Sequence, residues 1–153
     1  MVDEITKQER IKDFLESKPK NFSTLGIIII ILALLNITFL VESVTLNQNI
    51  IAIILIDILS ILIAIISGIL LAFSTREEYK KGKKTFFLIL SILGIIPIIF
   101  RIIYWEGPFD LLIRLAINLT IIISDIYAYK YDLLKDYYIF FPVDKYGECP
   151  WKK

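Results

Sequence analysis

Six polar side chains interrupt long apolar stretches and are the first candidates for chemistry: Asp57, Arg101, Asp110, Arg114, Asn118 and Asp125. Ionisable groups among aliphatic residues are costly in lipid, so they mark ion-pair networks, solute or ion sites, or proton relays. Asp110 and Arg114 are spaced i, i+4 with the acid first, the favourable order for a helical pair. Other chemistries find few residues. The chain has no histidine, which removes the commonest general base and transition-metal ligand. Cys149 is its single cysteine, so an intramolecular disulfide and a multi-cysteine metal motif are excluded. No phosphate-cradling glycine loop or nucleophile–base pair occurs. Paired aspartates could serve a membrane protease, but Asp57 and Asp125 fall in opposite halves of the bilayer, and Asp57 and Asp110 each have arginines beside them. The expectation is a protein that is not an enzyme and holds no cofactor or metal.

The elements carrying these groups follow from composition. Of 153 residues, 57% are hydrophobic, and isoleucine dominates; soluble domains run about 45–50% apolar. Lipid resolves that excess, because a soluble chain of this length still exposes much of its surface. Residues 24–42 carry no charge before Glu42, 50–73 carry only Asp57, 85–105 only Arg101, and 109–129 carry Asp110, Arg114 and Asp125. A helix needs about 20 residues to cross a bilayer, and within hydrocarbon only internally bonded backbone is stable. The expected fold is therefore all-α: an integral membrane four-helix bundle. The first three segments insert on their own. The fourth is marginal, since its aliphatic residues contribute roughly −0.3 to −0.6 kcal/mol each and every central charge costs about 2.5–3.5 kcal/mol. It needs the other helices to cover its polar side.

Basic residues set the expected orientation. Apart from Arg101 and Arg114, every Lys and Arg lies in segment 1–23, in the connection 74–84 or in the tail 130–153. The connections around 43–49 and 106–108 have none. Since Lys and Arg favour the cytoplasmic side, both termini are expected inside. The first 23 residues do not read as a signal peptide. Residues 4–17 are expected to form a short cytoplasmic helix ending before Lys18-Pro19, either docked at the interface or solvated. The formal net charge of +1 gives no basis for nucleic-acid binding. Matches to the glycosylation sequon at Asn21, Asn36 and Asn118 fall in the cytoplasm or the membrane and are chance matches.

Packing signals are local. Ser60, Ala64, Gly68 and Ala72 make a small-residue ridge every fourth position, suited to close helix approach within the chain or between copies. Pro97, with Gly94 nearby, should kink the third span and free the carbonyl of Leu93, for which Ser91 is a candidate donor. Glu106-Gly107-Pro108 reads as a tight turn with proline at the first helical position. On the fourth span Asp110, Arg114, Asn118 and Asp125 fall within an arc of about 80°, and Tyr129, Asp132 and Asp136 stay near it if the helix continues. Depth brings Asp57, Arg101, Asp110 and Arg114 together in the outer half; Asp125 stands apart, with Lys130 as its candidate partner. The tail is rich in aromatics: Tyr127, Tyr129 and Tyr131 read as an interfacial collar, and Tyr137–Pro142 as a segment folded back on the bundle or the lipid surface, or forming a partner-binding patch.

Two functions fit. One is a small polytopic protein acting by interaction, as an accessory or scaffold subunit or a homo-oligomer. The other is a small-solute or ion transporter or channel that uses the buried Asp/Arg cluster. The expected partners are the lipid bilayer and a membrane protein or second copy, with no nucleic acid.

Overall fold

The computed structural model describes residues 2–45, 51–103 and 108–142, and among these every regular element is helical. Helix α1 (Val2–Glu16) is followed by α2 (Phe22–Thr45) and α3 (Ile51–Phe73). A helical turn at Arg76–Glu78 leads into α4 (Lys84–Ile103), then α5 (Pro108–Tyr129) and short α6 (Leu133–Phe140). Four helices, α2 to α5, are long and apolar enough to cross a membrane. At 1.5 Å per residue, twenty residues cover the roughly 30 Å hydrocarbon core.

The bundle is two antiparallel hairpins, α2–α3 and α4–α5, joined mainly along α3 and α4. Hairpin α2–α3 closes on the small-residue ridge. Ser60, Ala64, Gly68 and Ala72 are all buried. Its lower half meets Gly26 of α2, where an added Cβ would lie 2.6 Å from the Ala72 backbone nitrogen and 2.7 Å from the Gly68 carbonyl. The ridge is thus used within the chain, at a crossing where only hydrogen fits. In hairpin α4–α5, Gly94 admits Ile122, which a Cβ would approach to 2.9 Å. Pro97 is accommodated inside α4. Ser91 does not serve the carbonyl Pro97 frees; its hydroxyl donates to Leu88 O at 2.8 Å, because an i−3 carbonyl is within reach of its own turn.

The outward faces of the long helices stay apolar. Ile27, Ile31, Leu34, Leu55, Leu62, Ile92, Ile99 and Ile123 are all exposed, on four different helices. Such a surface is stable against acyl chains and not against water.

Helices α1 and α6 and the connection 74–83 meet at one end of the bundle. Phe14 and Tyr137 pack edge to face with centroids 5.2 Å apart, and Leu133 completes a small second core with Ile11 and Leu15 against it. The N-terminal helix docks on the C-terminal one through Phe14, Ile11 and Leu15, while most of its other side chains stay exposed. Tyr131 and Tyr137 correspondingly turn inward: Tyr137 is fully buried, and Tyr131 lies against Phe22 and Tyr79 at 5.3 and 5.1 Å. Tyr127 remains at the surface. The polar stripe does not run on into the tail, because α5 stops at Tyr129 and Asp132 caps a new helix, accepting from Leu134 N and Lys135 N at 3.1 and 3.2 Å.

Candidate functional site

Three of the polar residues come together in the half of the bundle away from the chain ends. Asp57 on α3 is 2% exposed and accepts from Arg101 Nη2 of α4 at 2.6 Å and from Arg114 Nη1 of α5 at 3.4 Å. One carboxylate thus holds two guanidiniums from two other helices, a charge-assisted arrangement stronger than a neutral bond. Ser60, one turn below Asp57 on the ridge, lies 3.5 Å from Arg101 Nη2. The Arg114 guanidinium also sits 5.0 Å over the ring of Phe39 on α2, so all four long helices contribute. Asp110 lies in the first turn of α5, but its side chain is outside the described residues.

Asn118 is buried one turn beyond Arg114 and lines a small cavity with Ser60, Ile63, Gly94, Pro97 and Ile121. The space open to a water-sized sphere there is only about 10 Å³. That is at the lower limit for one water and far below any solute. The Asn118 amide nitrogen has no hydrogen-bond partner among the described residues, nor does either polar atom of Asn36 on α2, which is 2% exposed. Asn36 was not among the groups singled out from sequence. The signal available was an amide within an otherwise uncharged span.

Asp125 is elsewhere, in the other half of the bundle. It is fully buried and accepts from Ser67 Oγ of α3 at 2.9 Å, while its Oδ1 has no partner among the described residues. Its described partner is thus not Lys130, which is exposed at the end of α5. Position explains this: Asp125 points into the α3 interface, and a lysine beyond the helix end would have to abandon water to follow it. Of the stripe residues on α5, Arg114, Asn118 and Asp125 are turned into the bundle, divided between two sites at different depths.

Comparison with protein-family models, curated proteins and solved structures finds no match. The chemistry of the site therefore rests on these residues alone.

A second polar centre, at the end of the bundle where α1 and α6 sit, is built on Arg76. Its side chain is 5% exposed, and it reaches three segments. Nε donates to Tyr131 Oη and Asp136 Oδ2, each at 3.1 Å, and Nη2 pairs with the same carboxylate at 3.1 Å. Nη1 donates to Ser17 Oγ and to the Phe14 carbonyl at 3.5 Å. The guanidinium lies 4.3 Å over the Phe14 ring. Tyr131 also donates to Asp136; burial first, and then that bond, push its phenol above the ordinary tyrosine range against the pull of Arg76. Arg76 is presented by a capping box, in which the Thr75 hydroxyl accepts from Glu78 N and the Glu78 carboxylate from Thr75 N, both at 3.3 Å. Next to it the Tyr79 hydroxyl lies 2.8 to 3.1 Å from the carbonyls of Ala128, Tyr129 and Tyr131, donors being scarce where α5 ends. Sequence reading counted Arg76 only as one more basic residue. Thr75-Arg76-Glu77-Glu78 carried a legible capping signal, but nothing in its neighbours named Ser17 or Asp136 as partners.

Proposed function

We propose that this is a small multi-pass protein of the cell membrane, with both termini cytoplasmic, that acts without catalysis by binding other membrane components as an accessory or scaffold subunit or a homo-oligomer. The observation that carries this reading is the Arg76 centre. It ties the end of α1 to α6 in one folded cap, and the cap presents a built surface at a single end of the bundle. Among the described residues, every Lys and Arg except Arg101 and Arg114 lies at this end, which supports assigning it to the cytoplasm. In the opposite half, the charges of α3, α4 and α5 are directed at each other, and the cavity beside them is too small for a solute.

The competing reading is a transporter or ion channel using Asp57, Arg101 and Arg114. The buried Asn36 amide and the Asn118 amide nitrogen, which have no hydrogen-bond partner among the described residues and lie beside a charged layer, favour it. One set of measurements separates the two. Native mass spectrometry after mild extraction should find a second copy or a partner protein on the chain. Proteoliposomes should neither dissipate an imposed pH or potential gradient nor take up solute beyond the lipid control. Flux that is abolished by a folded Arg101→Met variant would establish the transport reading instead. Labelling of Cys149 with a membrane-impermeant maleimide tests the orientation, with reaction expected only after permeabilisation.

A further inference from the structure

Beside the cap, the start of α4 and the end of α5 enclose an open recess of about 500 Å³, large enough for a phosphate-bearing group. Lys80, Lys84 and Lys130 line it, from two helix ends that the fold brings together. The one acid on its wall is Asp132, and that carboxylate is already engaged as the cap of α6 through two backbone N–H groups. Two further lysines of the same connection are in ion pairs, Lys81 with Glu77 at 3.4 Å and Lys83 with Glu78 at 2.8 Å. Lys84 and Lys130 form no salt bridge among the described residues. Lys84 is instead held 5.1 Å over the Tyr129 ring, which fixes it at the rim. The turn that arranges these lysines depends on Gly82, whose φ of +122° is open to glycine and few others.

Position supplies the rest. The recess lies at the end of two membrane-length helices, where a headgroup lies, and Ile123 and Tyr127, seven and three residues before Lys130 and so on its side of α5, are exposed and apolar toward the hydrocarbon. Basic pockets between span ends hold anionic headgroups, whereas a soluble anion would use the lysines and leave the apolar surface idle. We propose that this recess binds the phosphate headgroup of an anionic phospholipid, as a specific site rather than a diffuse basic surface. The site rests on the reading that this end lies at the cytoplasmic surface, where such lipids concentrate.

The test uses the full chain in nanodiscs of phosphatidylcholine doped with phosphatidylglycerol, with retained lipid read by native mass spectrometry. The wild type should retain phosphatidylglycerol over phosphatidylcholine, and Lys80→Gln/Lys84→Gln/Lys130→Gln should lose roughly ten- to a hundredfold of that preference. A charge-matched control, Lys12→Gln/Lys20→Gln/Lys81→Gln, should keep it, as should the triple Lys→Arg variant of the recess. Equal loss in the control, or no preference in the wild type, would overturn the proposal. So would inorganic phosphate protecting the recess lysines from acylation in detergent as well as phosphatidylglycerol does, since the ligand would then be a soluble anion. Cys149 labelling from the outer side would refute the orientation without touching the binding result, so the two failures are distinguishable.

Discussion

Replacing Asp57 by Asn changes almost no volume and removes one charge, which makes it the sharpest probe of the buried cluster. Asp57 is 2% exposed and faces Arg101 at 2.6 Å and Arg114 at 3.4 Å. Two unit charges about 4 Å apart attract by about 4 kcal/mol at an effective dielectric constant near 20. An amide keeps one hydrogen bond and forfeits most of that attraction. Among the described residues Arg101 then has only neutral acceptors, the amide oxygen and Ser60 Oγ at 3.5 Å. A buried charge stripped of its partner typically costs about 3–5 kcal/mol, and Asp57→Asn is expected in that range. Arg101→Met should cost less, about 2–3 kcal/mol, since Asp57 keeps Arg114. The double variant should fall short of the sum by about 2 kcal/mol, because each change removes the same contact. Reversible SDS titration of the purified protein in mixed micelles, followed by near-UV circular dichroism, measures all three. A loss below about 1 kcal/mol for Asp57→Asn, or additivity within about 0.5 kcal/mol, would refute the structural role of the cluster.

Asp125→Asn should behave differently, changing stability by less than about 1 kcal/mol in the same titration. Among the described residues its carboxyl has one hydroxyl donor and no cation to lose. Gly26→Ala should cost about 1–3 kcal/mol and more than Gly68→Ala. The added methyl at Gly26 meets backbone and Ala72 Cβ, whereas at Gly68 the nearest atom belongs to the movable side chain of Ile30; the reverse order would contradict the crossing. Arg76→Lys keeps the charge but loses the fork that serves Ser17, Tyr131 and Asp136 together. Two or three lost hydrogen bonds correspond to about 1.5–3 kcal/mol, so amides of α1 and α6 should exchange ten- to a hundredfold faster while α3 stays protected. Hydrogen-exchange mass spectrometry reads this directly, and uniform acceleration across the bundle would argue against a separable cap.

Membrane-length helices were legible because the signal is local and strong: some twenty consecutive apolar residues must form a helix in lipid. The ridge on α3 was legible for a related reason, since a fourfold spacing of small residues fixes one face of a helix whatever it meets. Whether that face met α2 or another copy was not written in the ridge. It depended on Gly26, 42 positions before Gly68, leaving room for a backbone crossing. The tail was read as aromatic and folded back, but its dock on α1 could not be read, because α1 alone shows only a weak apolar side.

The polar residues divide along the same line. That Asp57, Arg101, Arg114, Asn118 and Asp125 must face protein follows from the sequence, because a charge exposed to hydrocarbon is unstable. Which atoms would satisfy them was decided only by the tertiary structure. Helix periodicity gave the angle of the stripe on α5 but not the identity of the helix opposite each position. The packing of α3 against α5 gave Asp125 a serine instead of Lys130, and it placed one aspartate between two arginines. Arg76 marks the limit most clearly. Its partners lie 59 and 60 residues away on opposite sides in sequence, and only the meeting of α1 and α6 at one end of the bundle brings them to one guanidinium.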